Sequence, residues 1–386
     1  MTDGPSKTLL PDGLRDVLPP EATREATVMR GLIDRFRASA YRRVDPPLVE
    51  FEDSLLDGAG TATAPHTFRL MDPVSQRMMG VRADMTVQVA RIATSRLIKA
   101  PRPLRLCYAG PVLRVRGSQL RPERQVTQAG CEIYGADQAE ADAEIIAVAA
   151  DALHAVGAKD LSVDLSLPTI VPAVFDDLGL DAKTRKDARL ALDRKDAHDV
   201  AALGGEAATR LGALLDASGL ARRALEKLNS IPLPPAAEAE RARLARVMDL
   251  LEDAVPELAL TVDPVEHRGF EYQTGLSFTL FAKGVRGELG RGGRYSAGSD
   301  GTTTEPATGF SLYLDSVLRA VPAAARPVTV YLPANTEPKQ AAALRQAGWC
   351  TLSGLITVSD IKAEARRLDC THYFDPAQGD APCPLD

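Results

Sequence analysis

The residues from 104 to 135 constrain the fold of this chain more than any other stretch of its sequence. They read LRLCYAGPVLRVRGSQLRPERQVTQAGCEIYG, with apolar and aromatic residues first and a turn rich in glycine, proline and arginine next. A second run, again mostly apolar, follows the turn. Because alternate residues of a strand share one face, this pattern predicts two strands joined by a basic loop.

The polar side chains of these two strands suit a small zwitterionic ligand. Spacing by two puts Arg114 and Arg116 on one side of the first strand, and Gln128 and Glu132 on one side of the second. A guanidinium pairs with a carboxylate, and a glutamate accepts from an ammonium or imidazole N–H. Spacing alone favours a simpler interpretation, an arginine-rich strand edge in contact with solvent. Motifs elsewhere in the chain are needed to choose between this edge and a ligand-binding surface.

Composition narrows the class of protein. The chain has 386 residues, enough for two or three domains, and its 46 Lys+Arg against 52 Asp+Glu give a net charge of −6. A mildly acidic chain does not require a polyanion, so nucleic acid is not expected as a partner.

The sequence shows neither a signal peptide nor an apolar run that could span a bilayer, so we expect no membrane association and a cytoplasmic location. The five cysteines lack C-x-x-C spacing, so neither a disulfide scaffold nor a metal site is expected.

The first eighty residues predict a helix, an edge strand and a hairpin. Apolar residues recur at helical spacing from 21 to 38. The segment 41–49 resembles a strand, but Pro46 and Pro47 cannot donate to a ladder and therefore indicate a sheet edge or a subunit contact. The segment 67–81 predicts a hairpin, because MDPVSQ forms a turn between two short apolar runs.

Asp84 stands where the hydrophobic period changes from that of a strand to that of a helix, with Thr86 just beyond it. A carboxylate at this position commonly accepts from the first amides of the helix. Considered by itself, Asp84 is therefore interpreted as a helix cap.

The second half of the chain predicts further helices and strands. A helix over 139–157 precedes an alternating strand over 161–165, and 176–254 has the composition of an inserted helical subdomain to which we assign no chemistry. The glycine cluster at 287–296 lacks the G-K-[S/T] of a phosphate-binding loop and is interpreted as a tight turn between strands. The last sixty residues alternate strand and helix as a small α/β appendage, with a frayed tail at 381–386.

Several motifs occur in an order that resembles a known family. They are GLRDVLPPEA, YRRVDPPLVE, VRADMT, LCYAGPVLRVR, RQVTQAGCEIYG, HRGFEYQTG and GGRY followed by PATGFSLYLDS. Together they resemble the catalytic core of a histidyl-tRNA synthetase over about residues 10–325. The resemblance implies a class II synthetase fold, α+β, with a mostly antiparallel sheet flanked by helices. It divides the chain into a core at 1–325, carrying the helical insertion, and a small C-terminal α/β domain at 327–386.

The same resemblance implies a histidine-binding pocket. Asp84, one carbon shorter than the family's acidic residue, lies beside Thr86, and Arg114 matches the arginine of the second motif. Gln128 and Glu132 match the pair that reads the imidazole and the amino group.

The histidine-specific motif adds further positions. Its catalytic arginine corresponds to Arg268, and one of its two neighbouring tyrosines corresponds to Tyr272. The second tyrosine is Gln273 in this chain.

The nucleotide-binding positions of the family are altered. Arg116 replaces the acidic residue two positions after the second-motif arginine, which reverses the charge. The third motif, G-L-E-R in the family, is Tyr313-Leu314-Asp315-Ser316 here, and a serine cannot supply a planar bidentate cation to a phosphate. The segment after 327 is also too short for the usual anticodon-binding domain, so aminoacylation is disfavoured.

A synthetase core with a histidine pocket and an altered ATP clamp resembles the regulatory subunits of ATP phosphoribosyltransferase. That resemblance implies a chain without catalytic residues or cofactor, which partners a short catalytic chain in a hetero-octamer and self-associates as a dimer through the first motif. It also implies activation of the catalytic chain in the first step of histidine biosynthesis, with feedback inhibition by bound histidine. The alternatives are a shortened histidyl-tRNA synthetase or a stand-alone amino-acid adenylating ligase, and, as a third class, a tRNA-binding protein.

Overall fold

The computed structural model describes residues 9–56, 58–117, 121–267, 273–298, 304–323, 327–379 and 381–385. The chain divides into two compact units, Met1–Pro322 and Ala323–Asp386. Arg268 and Tyr272, which the sequence places in the ligand pocket, lie outside the described residues.

The described part of the first unit is built from helices and strands in an α+β arrangement. The helices are α1 (Glu21–Ala38), α2 (Glu52–Leu55), α3 (Thr86–Arg91), α4 (Ala139–Ala155), α5 (Ile170–Asp177), α6 (Ala182–Asp193), α7 (Ala197–Ala202), α8 (Gly205–Asp216), α9 (Ala221–Asn229), α10 (Pro235–Ala254) and α11 (Leu314–Ala320). The strands are β1 (Arg42–Arg43), β2 (Val49–Phe51), β3 (Phe68–Met71), β4 (Met78–Val81), β5 (Leu104–Leu113), β6 (Gln125–Tyr134), β7 (Leu161–Ser166), β8 (Gly219–Leu220), β9 (Ala259–Asp263), β10 (Gln273–Ala282), β11 (Gly290–Ala297) and β12 (Glu305–Tyr313).

The main sheet has the order β1-β5-β6-β12-β11-β10-β7-β9-β8. Its pairs are antiparallel except β1 with β5 and β7 with β9, which are parallel. Helix α4 packs against β6 and β12 of the sheet and against helices α1 and α10, and its apolar face is buried at Ile145, Ile146 and Leu153. The expected class II arrangement, a mostly antiparallel sheet flanked by helices, is confirmed.

The predicted β5–β6 pair is present and pairs from Leu104–Tyr134 to Leu113–Gln125. Strand β5 ends at Leu113, so Arg114 and Arg116 lie beyond it rather than on it, and Arg116 is exposed. The predicted hairpin is formed by β3 and β4. Strand β1 lies at the edge of the main sheet, as Pro46 and Pro47, which follow it, indicated.

Two further predictions about local structure were wrong. The glycine cluster is not a turn, because Gly290–Ala297 forms β11 in the middle of the sheet. A Cβ on Gly290 or Gly292 would lie 2.4 or 2.2 Å from a backbone carbonyl oxygen of β12, so these glycines serve close strand approach. The tail is not frayed throughout either, since Cys383–Pro384 pairs with a strand of the second unit.

The second unit has a parallel sheet with one antiparallel strand. Its elements are β13 (Thr329–Leu332), α12 (Pro338–Gln346), β14 (Cys350–Ser353), α13 (Ile361–Arg367), β15 (His372–Tyr373) and β16 (Cys383–Pro384), in the sheet order β14-β13-β15-β16. Among the described helices of both units, none combines the length and the apolar composition that crossing a bilayer requires.

Candidate ligand pocket

A pocket of about 180 Å³ lies over strands β6, β10, β11 and β12 and the start of α3. Its lining is mostly polar, with acidic, basic and hydroxyl groups set among glycines. The lining residues are Asp84, Thr86, Arg114, Glu132, Gln273, Arg291, Gly292, Gly293, Tyr295, Gly309, Phe310, Ser311 and Tyr313.

Glu132 forms the acidic floor of this pocket. Its carboxylate accepts from the Tyr108 hydroxyl at 3.1 Å and from the Tyr295 hydroxyl at 3.0 Å. Burial raises the pKa of Glu132 to about 8, while the hydrogen bonds from Tyr295 and Tyr108 oppose the shift. Near neutral pH and without a ligand, this carboxyl group is therefore mostly protonated, and a cationic ligand group beside it would favour the ionised form.

Asp84 has both of its carboxylate oxygens engaged. The backbone N–H of Thr86 donates to Oδ1 at 2.8 Å, which is the capping contact expected from the sequence. The side-chain amide of Gln128 donates to Oδ2 at 2.8 Å, and its carbonyl accepts from the backbone N–H of Met85 at 3.0 Å. Gln128 is fully buried behind Asp84 and fixes its orientation rather than lining the pocket itself.

Tyr108 connects Glu132 to two neighbouring hydroxyl groups, one of them on Thr86, whose backbone N–H contacts Asp84. Its oxygen lies 2.8 Å from Ser311 Oγ and 3.3 Å from Thr86 Oγ1, in addition to its contact with Glu132. The side chain is fully buried. The floor is therefore a connected network whose members restrain one another.

Two glycines on neighbouring strands make room for these side chains. Gly293 of β11 pairs directly with Gly309 of β12. A Cβ on Gly309 would lie 1.7 Å from Glu132 Oε2, and a Cβ on Gly293, whose φ is +150°, would lie 2.7 Å from Gln273 Oε1. Both positions require glycine, because any larger residue would displace a floor side chain.

Arginines supply the positive side of the pocket. Arg114 is half-buried, and its guanidinium has a long contact, 3.5 Å, with the carbonyl of Ala83. Arg291 donates to Glu288 at 2.6 Å. These guanidinium groups lie within the same lining as Asp84 and Glu132, so the pocket offers complementary charge to a carboxylate and an ammonium at once.

Around Tyr313, which lines one end of the pocket, polar groups bond to the protein itself. The guanidinium of Arg121 lies 3.7 Å from the centroid of the Tyr313 ring and donates to the carbonyl of Glu288 at 3.0 Å. Ser316 is fully buried, and its hydroxyl accepts from Arg319 at 2.9 Å.

A buried ion pair holds β11 to helix α4 from the opposite side. Arg294 is 4% exposed and donates to Asp142, which is 2% exposed, at 2.9 Å. The same guanidinium donates to the carbonyls of Ala136 and Gln138, each at 3.0 Å. The strand that carries Gly293 is thus fixed to the first turn of α4.

The structure brings together four of the residues that the sequence selected, namely Asp84, Thr86, Arg114 and Glu132. Sequence reasoning did not select Tyr108 or Tyr295, because a tyrosine on an alternating strand has the same pattern as any core residue. Neither did it select the pocket glycines, of which Gly292 and Gly293 were interpreted as part of a turn. In the part of the chain that the structure describes, no group of three or more His, Cys, Asp or Glu residues could hold a metal ion.

Comparisons with known proteins agree on the family. A family model described as histidyl-tRNA synthetase matches residues 13–317. A chain from Paramagnetospirillum magneticum, described as an ATP phosphoribosyltransferase regulatory subunit, is 55% identical over 97% of this chain and 98% of its own length. The protein of the same description from Rhodospirillum centenum is 55% identical over 97% of both chains.

Solved structures show the same fold. A Bacillus halodurans protein described as an ATP phosphoribosyltransferase regulatory subunit/histidyl-tRNA synthetase has a TM-score of 0.80 at 23% identity, covering 96% of this chain and 98% of that one. Histidyl-tRNA synthetase from Nostoc has a TM-score of 0.78 at 17% identity, covering 95% and 90%. With half of its residues identical over nearly its full length, the chain belongs to the family of ATP phosphoribosyltransferase regulatory subunits, which has the class II fold of histidyl-tRNA synthetases.

Proposed function

We propose that this chain is a non-catalytic regulatory subunit that activates a short catalytic chain of ATP phosphoribosyltransferase, in the first step of histidine biosynthesis. Histidine bound in the pocket over β6, β11 and β12 mediates feedback inhibition. The name shared by relatives at 55% identity supports the partnership.

The observation that carries the ligand assignment is the acidic floor opposite an arginine. Glu132 and Asp84 lie within one small lining with Arg114, which matches the ammonium and carboxylate of a free amino acid. Glu132 is fully buried and already accepts two tyrosine hydroxyls, so its carboxyl group is held in one orientation toward an imidazole or ammonium N–H.

The groups at Tyr313 support the absence of adenylation. Ser316 stands where the family's third motif has an arginine, and its buried hydroxyl is engaged by Arg319. Tyr313 stands where that motif has glycine, and Arg121 stacks on its ring. In-line attack on an α-phosphate depends on cationic clamping that these groups do not provide, so loss of the clamp lowers the rate by orders of magnitude.

Regulation of this kind requires linkage between two sites. Histidine inhibits only if it binds one state of the complex more tightly than the other. A tenfold difference per site corresponds to about 1.4 kcal/mol, and several coupled sites make a usable switch.

Co-expression with a short phosphoribosyltransferase chain tests the proposal. We expect the two chains to co-purify as a hetero-octamer, with this chain self-associating through its first motif, and the mass follows from light scattering. The catalytic chain should be active only in the complex, and histidine should inhibit it there. A catalytic chain that is equally active alone and unaffected by histidine in the complex would refute the proposal.

Two substitutions test the pocket itself. Glu132→Ala and Gln128→Ala are expected to abolish histidine binding in calorimetry while leaving the circular dichroism spectrum unchanged. Glu132 would contact the ligand, whereas Gln128 would act by orienting Asp84. Unchanged binding in both variants would end the pocket assignment.

The match to a histidyl-tRNA synthetase model favours one alternative, a shortened synthetase or an amino-acid adenylating ligase. Histidine-dependent exchange of pyrophosphate into ATP distinguishes it, and clear turnover would replace our proposal. Binding of tRNA, tested as a salt-dependent mobility shift, is not expected from a chain of net charge −6.

A further inference from the structure

Two free cysteines lie directly opposite each other in the main sheet. Cys107 of β5 is paired with Cys131 of β6. Because residues paired across antiparallel strands point to the same face, both side chains enter the same apolar core cluster, where both are fully buried. Glu132, the next residue after Cys131, points to the other face and lines the pocket. The fold therefore places two thiols side by side, directly behind the pocket floor.

The hydrogen-bond pattern of the two strands shows how close these cysteines are. The carbonyl of Cys107 accepts from the backbone N–H of Val44 at 2.9 Å, so the backbone groups of Cys107 face β1 rather than β6. Further along the ladder, the Arg114 N–H donates to the Arg124 carbonyl at 2.8 Å, and Cys107 lies an odd number of positions away in unbroken register. Both observations make Cys107 and Cys131 a non-hydrogen-bonded pair, the kind whose Cα atoms are only about 4.5 Å apart. Disulfides span Cα separations of about 4.4–6.8 Å, so a bond between the two sulfur atoms is within reach.

We propose that Cys107 and Cys131 are an oxidation site, which forms a reversible disulfide and thereby weakens ligand binding on the opposite face of the sheet. Formation of the disulfide is independent of what the pocket binds. Its effect on binding rests on the proposed histidine site.

Hydrogen peroxide is a small oxidant that balances the reaction. One thiol, as its thiolate, attacks a peroxide oxygen, so the O–O bond breaks and a sulfenic acid and one water are formed. The second thiol attacks the sulfenic sulfur, the S–S bond forms, and the hydroxyl group leaves as a second water. The cysteine pair loses two electrons and two protons, which the peroxide takes up. A small dithiol reverses the reaction by thiol–disulfide exchange.

Cys107 should be the thiol that reacts first. Burial raises its pKa to about 11, and the guanidinium groups of Arg43 and Arg37 oppose the shift. Burial and the neighbouring Cys107 both hold the pKa of Cys131 well above its ordinary value. Strand β1, which pairs with β5 at Cys107, is two residues long and lies at the sheet edge. Short edge pairings open locally, so we expect slow oxidation through such openings.

The pocket floor should respond to this bond because the next residue on each strand belongs to it. Tyr108 follows Cys107, and its hydroxyl donates to Glu132 at 3.1 Å. The same hydroxyl oxygen lies 2.6 Å from where a Cβ on Gly130 would be, so the tyrosine has little room to shift. Disulfides favour Cα separations of about 5.5–6 Å, which is wider than the about 4.5 Å of a non-hydrogen-bonded pair. Closing the bridge should therefore shift β5 relative to β6 and disturb the hydrogen bond between Tyr108 and Glu132.

Peptide mapping by mass spectrometry on the full-length chain tests the disulfide. The parent variant carries Cys350→Ser, Cys370→Ala and Cys383→Ser, which removes the other three thiols. After peroxide treatment and alkylation, we expect a linked peptide containing Cys107 and Cys131, which a dithiol converts back to two thiols. Should the parent not fold, the same peptide is sought in the wild type. Free thiols or sulfinic acids at both positions, without a linked peptide, would overturn the oxidation site.

Calorimetry with L-histidine tests the coupling to the pocket. The oxidised parent should bind histidine about tenfold more weakly than the reduced parent, as is typical of coupled sites. Because coupling is reciprocal, saturating histidine should make the reduction potential of the pair about 30 mV more positive. Cys107→Ala in the same background cannot form the bridge, so its histidine affinity should not change on peroxide treatment.

The outcomes separate this inference from the proposed function. If the linked peptide forms and histidine affinity stays within twofold, the coupling is wrong and the histidine pocket stands. If no linked peptide forms and the reduced chain binds histidine, the oxidation site is wrong and the pocket again stands. If the linked peptide forms and the reduced chain does not bind histidine, the oxidation site stands, while the proposed pocket and the coupling are wrong.

Discussion

The two ends of the pocket along β12 differ in what their polar side chains contact. At Gly309 the strand bears no side chain, and the space above it holds the Glu132 carboxylate. At Tyr313, four residues and about 13 Å further along the strand, a buried aromatic ring supports the Arg121 guanidinium. The first end leaves polar groups directed at an open space, whereas the second uses its polar groups to bond the protein to itself.

Under the proposed function, this difference explains how a synthetase fold can bind an amino acid without adenylating it. Recognition of an amino acid needs a few fixed acceptors and a space, which Glu132 and its glycine neighbour provide. Adenylation also needs cations that remain available to phosphates. At the Tyr313 end, Arg121 and Arg319 donate hydrogen bonds to protein groups. Their guanidinium groups therefore stabilise the fold.

The largest effect should come from closing the open end. In Gly309→Ala the new methyl group would lie 1.7 Å from Glu132 Oε2, so the carboxylate must move out of its place. We expect histidine affinity to fall more than a hundredfold in calorimetry, and the free energy of unfolding to fall by about 1–3 kcal/mol. Gly212→Ala, where a Cβ meets nothing within 4 Å, is the control and should be neutral or stabilising. Retained affinity in Gly309→Ala would remove the distinction between the two ends.

The next effect concerns the charge of the floor. Glu132→Gln keeps the shape but not the ionisable group, and histidine affinity at pH 7 should fall between about ten- and a hundredfold. Because a cationic ligand favours the carboxylate, wild-type binding should release a proton. Calorimetry in buffers of different ionisation enthalpy measures this release, which should be absent in the variant.

The same substitution should alter the dependence of stability on pH. The pKa of Glu132 in the folded protein, about 8, lies above the ordinary value of 4.5. The folded state therefore keeps a proton that the unfolded chain loses, and the stability that this proton confers is complete below pH 4.5 and is lost as the pH rises to about 8. The slope reaches at most about 1.4 kcal/mol per pH unit. Urea unfolding at pH 5.5, 6.5 and 7.5 should show a flatter dependence in Glu132→Gln, and parallel curves would contradict this assignment.

A smaller effect is expected from Asp84→Asn. The side-chain NH₂ of Gln128 donates to Asp84 Oδ2 at 2.8 Å. In the variant an NH₂ group would replace that oxygen, and two donors would face each other. Histidine affinity should fall about tenfold, because a charge-assisted contact is lost and the orientation of the side chain is no longer fixed. Asp53→Asn, at an exposed residue, is the control. An affinity equal to that of the wild type would show that Asp84 is only a helix cap.

The smallest effect on binding should come from the Tyr313 end. Arg121→Met removes the stacking on Tyr313 and the hydrogen bond to the Glu288 carbonyl. The free energy of unfolding should fall by about 1–2 kcal/mol, while histidine affinity stays within twofold. Arg116→Met, at an exposed position, should change neither quantity. A loss of histidine binding as large as that of Asp84→Asn would mean that both ends serve the ligand.

Local sequence patterns predicted the elements that depend on local periodicity. The β5–β6 pair and helix α4 follow from alternation and from the spacing of apolar residues. Strand β11 could not be predicted in this way, because its glycines indicate a turn until their partners are known. Those partners, a carbonyl of Gly309 and the side chain of Phe278, come from distant segments.

The same limit applies to the site. Asp84 and Glu132 could be selected because their motifs resemble a family. The hydrogen bonds that Tyr295 donates to Glu132 and Gln128 donates to Asp84 join residues 163 and 44 positions apart. Such contacts depend on the order of strands in the sheet, so the sequence could suggest that Gln128 belongs to the site but not that it acts behind Asp84.

The fixing of β11 by Arg294 has a consequence for how tightly a small molecule can bind. Glycine-rich backbone is the least ordered kind before folding and loses the most freedom when it is immobilised. Arg294, buried against Asp142 and two carbonyls of the segment before α4, holds Gly293 in place from the far side of the sheet. The entropy of a loose strand is thus lost when the protein folds, and an incoming ligand meets a preorganised surface that requires little further ordering.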